Sequence, residues 1–538
     1  MSVPKYVKIG LSTNPDAREL DFSLDPFGGT GATYRSKQIF DLSGVIGQID
    51  GGTSLKSSNG VITYTFLDNS HLIGLYNNKH LGFEAAFGLS PFTPAQREAA
   101  RASIQLWDDL IPQTFVETKG LGADIQFSNS LDPAQAYAYF PGHQGWKFQS
   151  DVFVADPQAN WTNNWFTNLG YGNTTLVHEI GHTLGLSHPG AYNGAGATTY
   201  ASQAEYAQDS NQYTIMSYWA PGETGARIVN WNALIFANPQ TPLLHDILTI
   251  QSKYGADLTT RATDTVYGFH SNAGNALYDF GQNPYPHLAI YDAGGNDTID
   301  LSGFTISQFI DLHAGAFSSI GAGLPDAAAA NAYLANLTAI SGEDWGTYDA
   351  ALTNSIMNSY RTANANSISA DQAFLGQAPV SGIFTSEYQN VAIAYGTIIE
   401  NATGGSARDL IHGNEVDNVL KGMAGNDVIR GFEGNDTIIG GAGSDVMLGG
   451  IGSDTFVFDV AEQGDRIEDF TLEDFIDLSP LNIDLSFIGD SAFSAGGVGE
   501  IRYQGGLLSA DFDGNGSIDF SVTLAGAPAF HADQILGI

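Results

Sequence analysis

The sequence contains no cysteine among its 538 residues. That excludes a disulfide framework and thiolate metal ligands, so stability outside a cell has to come from elsewhere, bound metal ions being the obvious substitute. Basic residues are scarce: 20 Lys and Arg stand against 58 Asp and Glu, a formal net charge of -38. A surface of that sign repels phosphate backbones and anionic head groups, which argues against nucleic acid as a partner. No run of eighteen or more apolar residues occurs, so no membrane span is expected. The N-terminal MSVPKYVKIGLSTNPDAREL also lacks the apolar core of a cleavable signal. The chain is expected either to stay in the cytoplasm or to leave it by a signal-independent route.

What is present reads differently. With 43% of residues hydrophobic and 11% aromatic, the chain is too apolar for disorder, so its surplus carboxylates are candidate cation ligands. Its length suits two or three domains. Residues 1–55, rich in Gly, Ser and Asp without a sustained period, read as an irregular lead or pro-segment. GGTGAT at Gly28 lacks the strand–turn–helix context of a dinucleotide loop. Strands are expected at 61–66 (VITYTF), 123–127 (ADIQF) and 151–155 (DVFVA). A helix is expected from Thr93 and Pro94 with Ala100, Ile104, Trp107 and Ile111 on one face. Together these predict a mixed sheet backed by a helix. A second helix should start near Thr174 or Thr175, whose hydroxyls suit a cap, and stop near Gly185.

That second helix carries HEIGHTLGLSH at 178–188. His178 and His182, four apart, stack on one helix face where both reach one ion. Catalytic zinc needs a third protein ligand and an open position for water. His188 supplies the ligand if the chain turns out of the helix at Gly185, which tolerates positive φ. Glu179, beside the first ligand, is placed to act as general base towards the attacking water. TIMSYW at 214–219 contains Met216, and a Met-containing turn is the second half of the metzincin signature, so Met216 is expected beneath the histidines. Tyr218 is expected either as an extra zinc ligand or as a hydrogen-bond donor to the oxyanion.

HEIGHTLGLSHPG with TIMSYW resembles the serralysin branch of the metzincins. The likeness extends through VITYTF, AYAYFPG (136–142), YGADLTTRATDTVYGF (254–269) and YDAGGNDTIDLSGF (291–304). It implies a secreted, calcium-dependent endopeptidase of broad protein specificity, with a mobile tyrosine at Tyr218 as fifth zinc ligand. It also implies an edge strand near 136–142 against which extended substrate lies. Export by a type I transporter that reads the C-terminus is implied by DQILGI at the chain end, and a proteinaceous inhibitor is a possible partner. A monomer is expected. Relative to that family, residues 321–385 read as an insert, hypothetically a docking lobe, with Leu324 to Ala378 partly helical.

From Gly404 a nine-residue repeat G-x-x-G-x-D-x-U-x is explicit, with strong copies at Gly422, Gly431, Gly440 and Gly449 and weaker ones at 404 and 413. Gly422, Gly425, Gly431, Gly434, Gly440 and Gly443 permit a turn whose carbonyls face a cation, and the aspartates add charge. The apolar eighth residues, Ile411, Leu420, Ile429, Ile438, Met447 and Phe456, start inward-facing strands. If each repeat is half a coil, calcium lies between turns eighteen residues apart. That pairs Asp409 with Asp427, Asp427 with Asp445, and Asp436 with Asp454, while Asn418 weakens the remaining row. DFDGNGSID (511–519) is either a calcium loop or an acidic turn, since Val522 stands where an EF-hand has its Glu. The expected architecture is an α+β metzincin catalytic domain (mixed sheet with long helices) at 56–260. An all-β parallel β-roll follows at 261–538, with the insert and a C-terminal secretion signal.

Overall fold

The computed structural model describes residues 32–79, 88–142, 150–193, 199–228, 237–374, 377–461, 463–494, 496 and 499–538. The Gly28 segment and the rest of 1–31 lie outside the described residues. Residues 42–49 are not irregular. Asp41 caps a helix α1 (Leu42–Ile49), its carboxylate accepting from the Gly44 amide at 2.7 Å. Leu42, Val45 and Ile49, spaced at three and four, are buried, as is Leu55. All four belong to the same hydrophobic core as the ligand helix described below.

The expected strands form with shifted ends. They are β1 (Val61–Phe66), β2 (Thr114–Glu117), β3 (Ile125–Ser130), β4 (Ala136–Ala138) and β5 (Val152–Ala155). The order is β2-β1-β3-β5-β4, all neighbours parallel except β4, which runs antiparallel to β5 and forms one edge. A short helix α2 (Ser70–Lys79) follows β1. Helix α3 (Pro94–Asp108) starts as expected, Thr93 and Gln96 forming a reciprocal capping box. Its Trp107, fully buried, donates from Nε1 to the Val177 carbonyl at 3.1 Å and so ties α3 to the next helix.

That helix, α4 (Tyr171–Thr183), takes its cap position at Gly170, four residues before Thr174, with no side-chain cap. Thr174 instead donates to the Pro239 carbonyl (2.8 Å), and Thr175 back-bonds to the Tyr171 carbonyl (3.0 Å). Both residues thus lie inside the helix, the Thr174 hydroxyl bonded to a remote segment and that of Thr175 to the preceding turn. A one-turn helix α5 (Tyr200–Gln203) and helix α6 (Leu244–Tyr254) complete this half.

Among the described residues the second half is β structure apart from two α-helices, α7 (Ala327–Ser341) and α8 (Ala350–Phe374), and short 3-10 turns. Successive repeats alternate between two parallel sheets. One takes Leu410–His412, Val428–Glu433 and Val446–Ile451; the other takes Val419–Lys421, Thr437–Ile439 and Thr455–Val457. The register pairs Ile411 with Ile429 and Met447, and Leu420 with Ile438 and Phe456. All six are fully buried between the sheets, as the repeat pattern predicts.

Candidate metal centre

Three imidazoles converge. His178 and His182 stand one turn apart on α4. The chain then leaves the helix through Gly185 at φ +90 and returns His188 to the same point. The Nε2 atom of His188 lies 3.2 Å from that of His178 and 3.1 Å from that of His182. Each ring places its Nδ1 on a main-chain carbonyl: Ile215 at 2.8 Å, Leu186 at 2.7 Å and Tyr192 at 3.0 Å respectively. A carbonyl only accepts, so each Nδ1 carries the proton and each Nε2 presents a lone pair to the centre. Burial pushes His178 down to about 4, His188 to about 3 and His182 well below the usual value. The trio is therefore neutral, as metal ligands must be.

Glu179 is buried, its Oε2 has no hydrogen-bond partner among the described residues, and burial raises its carboxyl to about 8. An orphaned carboxylate beside three converging lone pairs is what a cation would complete. Met216 is fully buried against α4, where a Cβ on Gly181 would stand 2.8 Å from its Sδ. The absence of a side chain at Gly181 is what lets the turn pack against the helix. The Tyr218 ring lies 4.5 Å from that of His188 and 6.0 Å from that of His178, half exposed, its phenol raised to about 12 chiefly by burial. Phe140, just past edge strand β4, sets its ring 5.3 Å from that of His182.

Two buried carboxylates that the sequence reading did not single out hold this arrangement. Asp246, on α6, accepts from the Thr214 hydroxyl (2.5 Å) and the Ile215 amide (2.7 Å), while the Ile215 carbonyl holds His178. Asp209 accepts from Tyr192 (2.7 Å), Ser217 (2.7 Å) and Trp219 (3.1 Å), joining the residue that holds His188 to the turn around Met216. Neither has a spacing signal, because the groups each one holds, side chains for Asp209 and the Thr214 hydroxyl with the Ile215 amide for Asp246, are brought near only by folding.

In the repeats, the amide of Asp409 donates to Asp427, that of Asp427 to Asp445, and that of Asp445 on to Asp465, at 2.8, 2.8 and 2.9 Å. The other row runs Asn418, Asp436, Asp454, Asp474 at 2.8, 2.9 and 3.0 Å. Asp465 and Asp474 extend both rows past the last recognisable repeat, where the spacing lengthens to twenty. The Oδ2 atoms of Asp427 and Asp436 are buried without a partner among the described residues. A Cβ on Gly422 would lie 2.4 Å from Asp427 Oδ2 and 2.5 Å from the Gly440 carbonyl, and Gly431 repeats the relation with Asp436 and Gly449. Asp511, Asp513 and Asp519 also bring one carboxylate oxygen each within 4.8 Å of one another.

Residues 256–345 and 380–536 match the family described as Peptidase M10 serralysin C terminal, and residues 150–237 match Metallo-peptidase family M12B Reprolysin-like. The chain is 36% identical over 492 residues to the Metallopeptidase AprA of Pseudomonas marginalis, covering 87% of this chain and 84% of that one. It is 37% identical over 460 residues to the Metalloprotease AprA of Pseudomonas entomophila, covering 82% and 79%. To the Serralysin of Proteus mirabilis it is 36% identical over 346 residues, covering 61% and 56%. The chain belongs to the serralysin family. It is a metalloendopeptidase, and its substrates are proteins. The break in the serralysin match, between 345 and 380, falls inside the expected 321–385 insert and contains α8. Among the described residues no helix is long and apolar enough to cross a membrane.

Proposed function

We propose that this serralysin-family chain is a zinc endopeptidase in which His178, His182 and His188 hold the ion and Glu179 is the general base. The observation that carries the reading is the convergence of three Nε2 lone pairs whose tautomers are fixed by main-chain carbonyls. Zinc bound there supplies Lewis acidity towards water and the scissile carbonyl. With a cation beside it, Glu179 favours its carboxylate form, takes a proton from the attacking water and passes it to the leaving amine. Tyr218, kept protonated by its raised pKa, donates a hydrogen bond to the developing oxyanion. Extended substrate adds to the free edge of β4, recognised through its main chain.

The metzincin fold, with Met216 beneath the ligands, belongs to the same reading. So do domain limits near 56–260 and 261–538, with 42–55 counted into the catalytic core. Calcium fits the glycine-lined gaps beside Asp409, Asp427, Asp436, Asp445 and Asp454, where buried carboxylate oxygens face carbonyls. A second acidic group, Asp292, Asp297 and Glu400, has the same character: burial raises Asp297 to about 7, with the charges of Asp292 and Glu400 adding to it. Export by a type I transporter to the outside of the cell is proposed on the family resemblance. An inhibitor partner and a monomeric state are proposed on the same resemblance alone. The test is Glu179→Ala in the zinc-loaded protein: casein hydrolysis should fall by a factor of about 10² or more with zinc retained. Undiminished hydrolysis overturns the mechanism.

A further inference from the structure

A cavity of about 480 Å³ opens where three remote parts of the chain meet. Trp165 and Leu169, just before α4, form one wall; Tyr285 forms the second; Pro325, with Tyr333 of α7, forms the third. The volume is in the range of a ligand pocket. None of its lining residues among those described is Asp, Glu, Lys, Arg or His, in a chain of net charge -38.

Its walls are preformed. The Trp161 ring lies 5.9 Å from both Trp165 and Trp345. Tyr348 and Asn331 exchange hydrogen bonds at 2.7 and 3.0 Å, closing the turn between α7 and α8. Helix α8 is in turn held to the catalytic half by Arg227, which donates to Asn364 Oδ1 (2.7 Å), the Ala363 carbonyl (3.0 Å) and Ser367 Oγ (2.5 Å). The insert is thus fixed against the segment that follows the Met216 turn, not loosely tethered.

The lining offers surface more than free donors. Asn168 donates its amide to the Gln282 carbonyl (3.2 Å), and Tyr285 its hydroxyl to that of Gly323 (2.8 Å). A hydroxyl-rich ligand would find few open partners, whereas an aromatic or aliphatic side chain finds rings and prolines. The position fits a polypeptide. From Tyr171 to His178 the helix rises about 10 Å at ~1.5 Å per residue, and Leu169 lies just beyond. Counted on to Leu169 the span is about 13 Å, which extended substrate covers in about four residues at ~3.4 Å each.

We propose that this cavity is a remote subsite of the peptidase, taking an uncharged, preferably aromatic side chain about four residues from the bond cut. The proposal rests on the reading of the histidine centre as the peptidase site. The test uses the zinc- and calcium-loaded full chain and peptides with a fixed cleaved core, carrying Phe or Asp at each position from the third to the sixth on either side. At one position kcat/KM should favour Phe by about tenfold. Ala329→Trp, at an exposed helical position lining the cavity, should collapse that ratio towards one. Asn336→Trp serves the same purpose if the first variant does not fold. A ratio unchanged by filling, or no discriminating position, overturns the subsite. Failure of the parent protein to cut any peptide overturns instead the peptidase reading beneath it.

Discussion

Gly185 and Thr53 approach so closely that a Cβ on the glycine would lie 1.9 Å from the Thr53 carbonyl oxygen. The turn that returns His188 to the centre is therefore moulded against the segment after α1. The Gly51 amide donates to the Gly185 carbonyl (3.0 Å) and the Ser187 amide to Ile49 (2.7 Å).

Gly185→Ala should accordingly destabilise by more than ~3 kcal/mol, since a left-handed φ and a backbone collision act together. Thermal unfolding and zinc titration measure it. A midpoint within about 2 °C of the parent, with zinc binding intact, would remove this role for the glycine.

Asp246→Asn should leave all three histidines in place yet weaken zinc by about tenfold or more, because the Ile215 amide and carbonyl that steer His178 lose their anchor. Competition against a chelator reads this directly. An affinity equal to the parent's would show that the turn holds itself.

Tyr218→Phe separates two roles. With the phenol as oxyanion donor, kcat should drop about a hundredfold while zinc affinity stays as it was. A fall in zinc affinity that accounts for the whole loss of rate would instead identify a metal ligand.

The repeats make a pH prediction with a definite sign. Burial is the first cause raising Asp409 to about 7, Asp436 to about 8 and Asp427 to about 9, against ~3.9 for an unfolded aspartate. Without calcium the folded chain holds more protons than the unfolded one, so stability is greatest at low pH and is lost as pH rises through those values. The buried histidines act oppositely but only below about pH 6.5, their unfolded value, which leaves pH 7 to 9 as the clean window. Calcium binds the carboxylates, so the rise in midpoint that it produces should grow from pH 7 to 9. Calorimetry with and without calcium decides: a calcium increment independent of pH, or a calcium-free midpoint that climbs through this window, contradicts the assignment.

The local chemistry was largely legible. Four-residue spacing placed His178 and His182 on one face, Gly185 marked the turn, and six apolar positions in nine-residue register gave the roll. Features that depend on neighbours remote in sequence were not. Thr174 reads as a cap because its tertiary partner, the Pro239 carbonyl, leaves no trace in local pattern. Helix α1 was hidden by its eight-residue length among Gly and Ser, although Asp41, Leu42, Val45 and Ile49 carried a cap and an apolar stripe. Asp209, Asp246 and the walls beside Trp165 come together only once separate segments have met.

The two ends of the catalytic half are fastened without covalent chemistry. Lys253 pairs with Asp50, and the Tyr254 hydroxyl accepts from the Leu55 amide at 2.7 Å while donating to the Leu184 carbonyl at 2.9 Å. In polymer terms this clasp closes a loop of 199 residues, a span over which a disulfide would restrict the unfolded ensemble strongly. The clasp places no such restriction. Its whole effect resides in the folded state, and the unfolded chain remains a linear polymer free of cross-links.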